Sequence, residues 1–111
     1  MDADAALKAL AEPRRREILR IVRDRELSAG EIAARFEVTR PAISQHIAVL
    51  RSAGLVDERR DGARRLYRAR PEAVAELRDY LSGFWGEGLE QLKDAAEASA
   101  AAEEGRGADA N

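Results

Sequence analysis

Two helix-start signals, Ser28-Ala-Gly-Glu31 and Thr39-Arg-Pro41, followed by a hairpin signal at Asp61-Gly62, restrict the centre of this chain more than anything else in it. Ser28 and Glu31 have the S-x-x-E spacing of a capping box, in which each side chain bonds the other residue's backbone N–H. The helix they open is short, through Ile32, Ala33 and Phe36. A second cap follows almost at once at Thr39, with Pro41 in the opening turn where a missing N–H costs little. That helix reads on to Ala53, and Gly54 is its left-handed stop. At about 100° per residue, Ile43, Ile47 and Leu50 share one arc that must face a core, while Pro41, Ser44, Gln45 and Ala48 lie opposite and His46 falls at the edge of the buried arc. Two helices joined by a tight turn, the second with an outward row of hydrogen-bonding side chains, make a helix-turn-helix over 28–53. Past Gly54 the period changes. Asp61-Gly62 between Leu55–Arg60 and Ala63–Ala69 predicts a two-residue type I′ hairpin, which needs positive φ at both central positions. Arg59, Arg60, Arg64, Arg65 and Arg68 cluster near its tip, so residues 55–69 read as a basic wing.

The flanks supply the rest of the fold. Leu7 and Leu10 mark a short helix over 4–11, stopped by Glu12-Pro13. Pro13 starts another, whose apolar face is Ile18, Leu19, Ile21 and Val22. From Pro71 a last helix carries Val74, Leu77, Leu81, Phe84 or Trp85, Leu89 and Leu92 at threes and fours. A winged-helix core is closed without this stripe, so it needs a partner, and a second copy is the economical one. Leu7 and Leu10 are expected to join that dimer interface. Gly83, Gly86 and Gly88 weaken the helix and predict a kink or a close helix approach near Trp85. The expected domain is 1–95, with 4–11 and 71–95 as dimerisation helices. Residues 96–111, rich in Ala, Glu, Gly and Asp, have no face to bury and read as a disordered tail. The fold class is mainly α with a small β-hairpin: a winged helix-turn-helix of about five helices and a two-stranded wing.

Composition narrows the chemistry. A chain of 111 residues with no cysteine and one histidine has no disulfide framework, no thiolate nucleophile and no pair of imidazoles for a metal or a triad, so neither an enzyme nor a cofactor is expected. No apolar run approaches the roughly 18 residues a spanning helix requires, and the acidic start Met1-Asp2-Ala3-Asp4 is unlike a secretory leader. The expected location is the cytoplasm. The net charge of −2 conceals a division: residues 1–70 carry sixteen of the nineteen Lys and Arg against eleven Asp and Glu, and the remainder is strongly acidic. Such separation lets one surface attract a polyanion while another keeps the protein soluble.

The run Thr-Arg-Pro-Ala-Ile-Ser-Gln-His-Ile-Ala-Val-Leu-Arg-Ser-Ala-Gly-Leu-Val (39–56) and the wing Arg-Arg-Asp-Gly-Ala-Arg-Arg-Leu-Tyr-Arg (59–68) resemble the ArsR family, the arsenical-resistance repressor type. The segments Pro-Arg-Arg-Arg-Glu-Ile-Leu (13–19) and Leu-Ser-Ala-Gly-Glu-Ile-Ala (27–33) precede them in the family's order, and the resemblance extends over about residues 4–95. It implies a bacterial homodimeric repressor that pairs through its first and last helices and binds a palindromic operator, often its own promoter. Metal-sensing members carry Cys-x-Cys at the start of the third helix, or His with carboxylates on the last. Here Leu27–Glu31 holds no cysteine and no histidine follows His46, so a non-metal branch is implied. A small-molecule inducer is compatible with that branch, without a residue that identifies one.

Residue by residue, Ser44 and Gln45 are short enough to bond base edges, Gln characteristically to adenine. Thr39, Arg40 and Pro41 open the helix where its amides also favour phosphate, so they are expected to position the backbone. His46 reads as packed or phosphate-contacting, and Arg51 as a further cation on the DNA side or the surface. Arg60, Arg64 and Arg65 are expected in or beside the minor groove. Tyr67 either bonds a phosphate or fills the sheet. Arg14, Arg15 and Arg16 either touch phosphate or pair with Glu12 and Glu17. The partners expected are an operator duplex and a second copy, with no membrane. The rival reading is a winged helix used as a protein-interaction or dimerisation module without DNA.

Overall fold

A computed structural model of the chain describes residues 2–109. Among the described residues five helices and three strands follow in the order α1 (Ala3–Leu10), α2 (Pro13–Ile21), β1 (Leu27–Ser28), α3 (Ala29–Ala33), α4 (Arg40–Ser52), β2 (Val56–Asp61), β3 (Arg64–Ala69) and α5 (Pro71–Asp109). There are two compact units, one through Arg78 and one from Asp79 onward.

Each early helix starts on a side-chain cap, because its first amides have no partner within the helix. The Asp2 carboxylate accepts from Asp4 and Ala5, Glu12 accepts from Arg15 with Pro13 at the first helical position, and Thr39 Oγ1 accepts from Ala42 at 3.3 Å. Ser28 and Glu31 form the reciprocal capping box, at 3.0 and 3.1 Å. Helix α4 ends as expected at Gly54, whose φ is +78°. There the Leu55 amide returns to the Leu50 carbonyl and the Gly54 amide to Arg51, both at 3.0 Å. That is the Schellman pattern, and its hydrophobic closure is present, since Leu50 and Leu55 are both fully buried.

The core of the first unit is aliphatic. Ile18, Val22, Ile32, Ile43, Ile47, Leu50, Leu55 and Val56 are at most 2% exposed, and Ala6 and Ala9 let α1 approach closely. Burial of Ile43, Ile47 and Leu50 against exposure of Pro41, Ser44, Gln45 and Ala48 is the two-sided division expected of α4.

The wing differs from expectation in two respects. It belongs to a three-stranded sheet of order β1-β3-β2, because Leu27 and Ser28 pair antiparallel with Tyr67 and Leu66. A two-residue strand is too short to show any alternation. The hairpin loop is Gly62-Ala63, since Asp61 already pairs with Arg64. Gly62 has φ +65° and no non-glycine residue among those described has positive φ, so the turn follows the type II′ pattern, with glycine at the first central position.

Helix α5 also departs from expectation. It continues through the glycines and past residue 95 to Asp109, where the composition predicts a disordered tail from 96. Alanine and glutamate are strong helix formers, and propensity needs no buried face. Of the expected interface residues, Leu77 is 7% exposed and packs into its own core, Leu10 and Leu81 are half-buried, and Leu7, Val74 and Leu92 are exposed. The side chains of Phe84, Trp85 and Leu89 lie outside the described residues. No helix among the described residues is long and apolar enough to cross a membrane.

Candidate nucleic-acid interface

The outward row of α4 stands beside the wing. Ser28, Ala29 and Gly30 from the start of α3, Arg40 and Ser44 from α4, and Ala63, Arg64, Arg65 and Tyr67 from the wing line one open cleft of about 450 Å³. Local chemistry sets each wall. Thr39 fixes where α4 begins, so Arg40 and Ser44 come one turn apart on its outer side. Strand alternation places Glu58 and Arg60 of β2 on the same sheet face as Tyr67 and Arg65 of β3, their register partners. The Arg40 guanidinium passes beside Gly30, 3.8 Å from where a Cβ would stand, which is ordinary van der Waals contact.

Three carboxylates hold three of the wing's five arginines. Glu58, whose side chain is only 13% exposed, sits between Arg51 of α4 at 2.8 Å and Arg65 of β3 at 3.4 Å. Its Oε1 makes no hydrogen bond among the described residues, so Arg65 serves it as a charge partner. Glu26 accepts from Arg59 Nε at 2.7 Å, and its hydrogen bond and charge raise the Arg59 pKa further. Glu31 accepts from Arg64 with the same oxygen that caps α3. The backbone and hydroxyl of Ser28, followed by Arg64, hold the Glu31 carboxyl below its ordinary value. Arg40, Arg60 and Arg68 have no ion-pair partner among the described residues.

The expected contact residues therefore fall into groups. Arg40, Ser44, Arg64, Arg65 and Tyr67 line the cleft, with Thr39 and Pro41 shaping the start of α4, while Gln45 and Arg60 are exposed outside its lining. His46 is half-buried, and its Nδ1 lies 3.4 Å from Arg15 Nη1 on α2. An arginine can only donate, so His46 is assigned as the acceptor, with its proton on Nε2. Arg51 is tied to Glu58. The triple arginine neither lines the cleft nor pairs with Glu12 or Glu17 through its guanidinium groups. Arg15 and Arg16 donate to the last carbonyls of α1 (Ala9 at 2.6 Å, Leu10 at 2.8 Å), and Arg14 lies 5.6 Å over the Phe36 ring. Glu31 and Glu58 were not legible as part of the site. The capping motif marks Glu31, but its second partner is 33 residues away.

Among the described residues no group of three His, Cys, Asp or Glu is placed to hold a metal ion. What the cleft offers is exposed guanidinium, a hydroxyl and a phenol around a helix face of small polar groups, a set suited to phosphates and base edges.

Residues 12–58 match the family described as bacterial regulatory protein, arsR family. The HTH-type transcriptional regulator Rv2034 of Mycobacterium tuberculosis is 43% identical over 86 residues, covering 78% of this chain and 80% of that protein. The transcriptional activator HlyU of Vibrio cholerae is 49% identical over 55 residues, about half of each chain. A crystal structure of a possible transcriptional regulator for arsenical resistance superposes with a TM-score of 0.70 at 40% identity, over 80% of this chain and 93% of that one.

Proposed function

The chain belongs to the ArsR family of bacterial regulatory proteins and is a transcriptional regulator; we propose that it acts as a homodimer that binds a palindromic operator and represses transcription. Helix α4 lies in the major groove, with Gln45 and Ser44 at base edges and Arg40 at the backbone. Arg60, Arg64 and Arg65 meet the flanking minor groove, and Tyr67 donates to a phosphate. Two protomers present their α4 helices about 34 Å apart, one turn of duplex, which is why a two-fold site is read. Occupancy of a promoter then blocks polymerase without any further surface. The observation that carries the reading is the convergence of Arg40, Ser44, Arg64, Arg65 and Tyr67 on one open cleft. Support for pairing comes from Leu10 and Val74, which line a shared apolar cleft of about 250 Å³, and from exposed Leu7.

Fluorescence anisotropy of the full chain with a labelled duplex from its own upstream region tests this. Binding should weaken as salt rises, with a log–log slope of about −0.9 for each phosphate neutralised. No binding at low salt favours the protein-interaction module instead. A promoter reporter gives the sign of regulation: falling output on expression of the chain supports repression, and rising output overturns it in favour of activation, the sign in the name of the Vibrio relative.

A further inference from the structure

We propose that Glu31 is a built-in competitor for DNA phosphate, holding Arg64 in the free protein and lowering the affinity of the cleft for any duplex. The inference rests on the DNA-binding reading above and adds a residue that sets its strength. Arg64 lines the cleft, and its guanidinium donates to Glu31 Oε1. That oxygen also accepts from the Ser28 amide at 3.0 Å, while the Glu31 amide donates to Ser28 Oγ at 3.1 Å. The capping box thus anchors the carboxylate to the first turn of α3, and it cannot travel with Arg64 when the arginine turns to a new partner. Arg64 engages Glu31 through Nη2, and a phosphate oxygen offers a guanidinium the same charge-assisted bond, so it competes for that donor and meets the Glu31 charge beside it.

The other two wing carboxylates are placed differently. Glu58 is largely buried and shared between Arg51 and Arg65, which makes it a strut between α4 and the sheet. Arg59, the partner of Glu26, is not among the residues that line the cleft. The Glu31–Arg64 pair combines a cleft arginine with a counter-charge that is itself half exposed, at 46% for the Glu31 side chain and 56% for Arg64. An exchange of partners there requires no rearrangement of the core.

Glu31→Gln isolates the charge, because glutamine also completes a capping box. The full-length variant, wild type, Arg64→Ala and the double variant are titrated by anisotropy into a random-sequence duplex of about 30 base pairs, room for two half-sites, and into the upstream duplex. Glu17→Gln on α2 controls for net charge, and circular dichroism melts confirm folding. Glu31→Gln should tighten both duplexes about three- to tenfold at about 50 mM salt and steepen the salt slope by up to about 0.9. In the Arg64→Ala background that gain should vanish, the non-additivity that marks coupled residues. A gain no larger than that of Glu17→Gln, or one that persists without Arg64, overturns the proposal. If wild type binds and Arg64→Ala weakens it while Glu31→Gln changes nothing, the inference fails and the DNA-binding reading stands. If wild type binds neither duplex at low salt, that reading fails first.

Discussion

Arg15 and Arg16 send their guanidinium groups back to the carbonyl oxygens that end α1, where four acceptors have no partner within the helix and the dipole favours a cation. In sequence the run Arg14–Arg16 reads equally as touching phosphate or as pairing with Glu12 and Glu17, and the turn at Glu12-Pro13 decides otherwise, by folding α2 back beside the helix it follows. Arg16→Ala should therefore lower stability by about 1 kcal/mol in urea unfolding, the usual worth of such a bond, while the affinity for duplex stays within twofold. Gln45 and Arg64 should behave in the opposite manner. Gln45→Ala should flatten base preference at one position of each half-site, where a good bidentate contact discriminates by about 1–3 kcal/mol. Arg64→Ala should weaken operator and random duplex evenly, because phosphate contacts carry no sequence information. Binding to a panel of single-base operator variants separates the two effects. His46 marks where reading by residue fails: its helical angle is legible in the sequence, but Arg15, its neighbour across α2 and α4, is 31 positions away.

At the level of elements, legibility followed locality. The start of α4 at Thr39, the box at Ser28 and the stop at Gly54 each depend on atoms within a few residues, and all are as the motifs predict. Strand β1 has no local signal, because two residues in extended conformation become a strand only when β3 arrives beside them. The wing turn lies between these cases. The glycine was legible, but whether it takes the first or second central position depends on the pairing register of the whole ribbon. Ser28→Ala should cost about 1 kcal/mol of stability. The Glu31 carboxyl is held below its ordinary value by Ser28, so its contribution is complete above about pH 4.5 and is lost as pH falls through the lower folded-state value. Ser28→Ala removes the hydroxyl but keeps the amide that lowers the Glu31 pKa most, so the acid limb of a stability–pH curve should be only slightly shallower in the variant than in wild type. Gly62→Val, which forces a β-branched residue to φ +65°, should loosen the wing and weaken duplex binding while far-UV helicity is preserved.

For the whole molecule, the remaining expectation is pairing. Val74 at 40% exposure and Leu7 at 37% leave apolar surface on α1 and the start of α5 that a second copy would cover. Sedimentation at micromolar concentration should give a dimer, and Leu7→Glu with Val74→Glu a monomer whose duplex affinity falls by at least tenfold; a wild-type monomer in the presence of duplex would remove the two-fold reading altogether. The stripe on α5 was legible as a period, but a period alone did not reveal that Leu77 faces inward. Helix α4 is anchored by Ile43, Ile47 and Leu50, while its outer positions make no contribution to the core. Surface substitutions of that kind ordinarily change stability by less than about 0.5 kcal/mol. After a gene duplication, one copy can drift at positions 44, 45 and 48 toward a new target while keeping the same scaffold, so descendants of such a chain can diversify in the genes they control long before they diverge in shape.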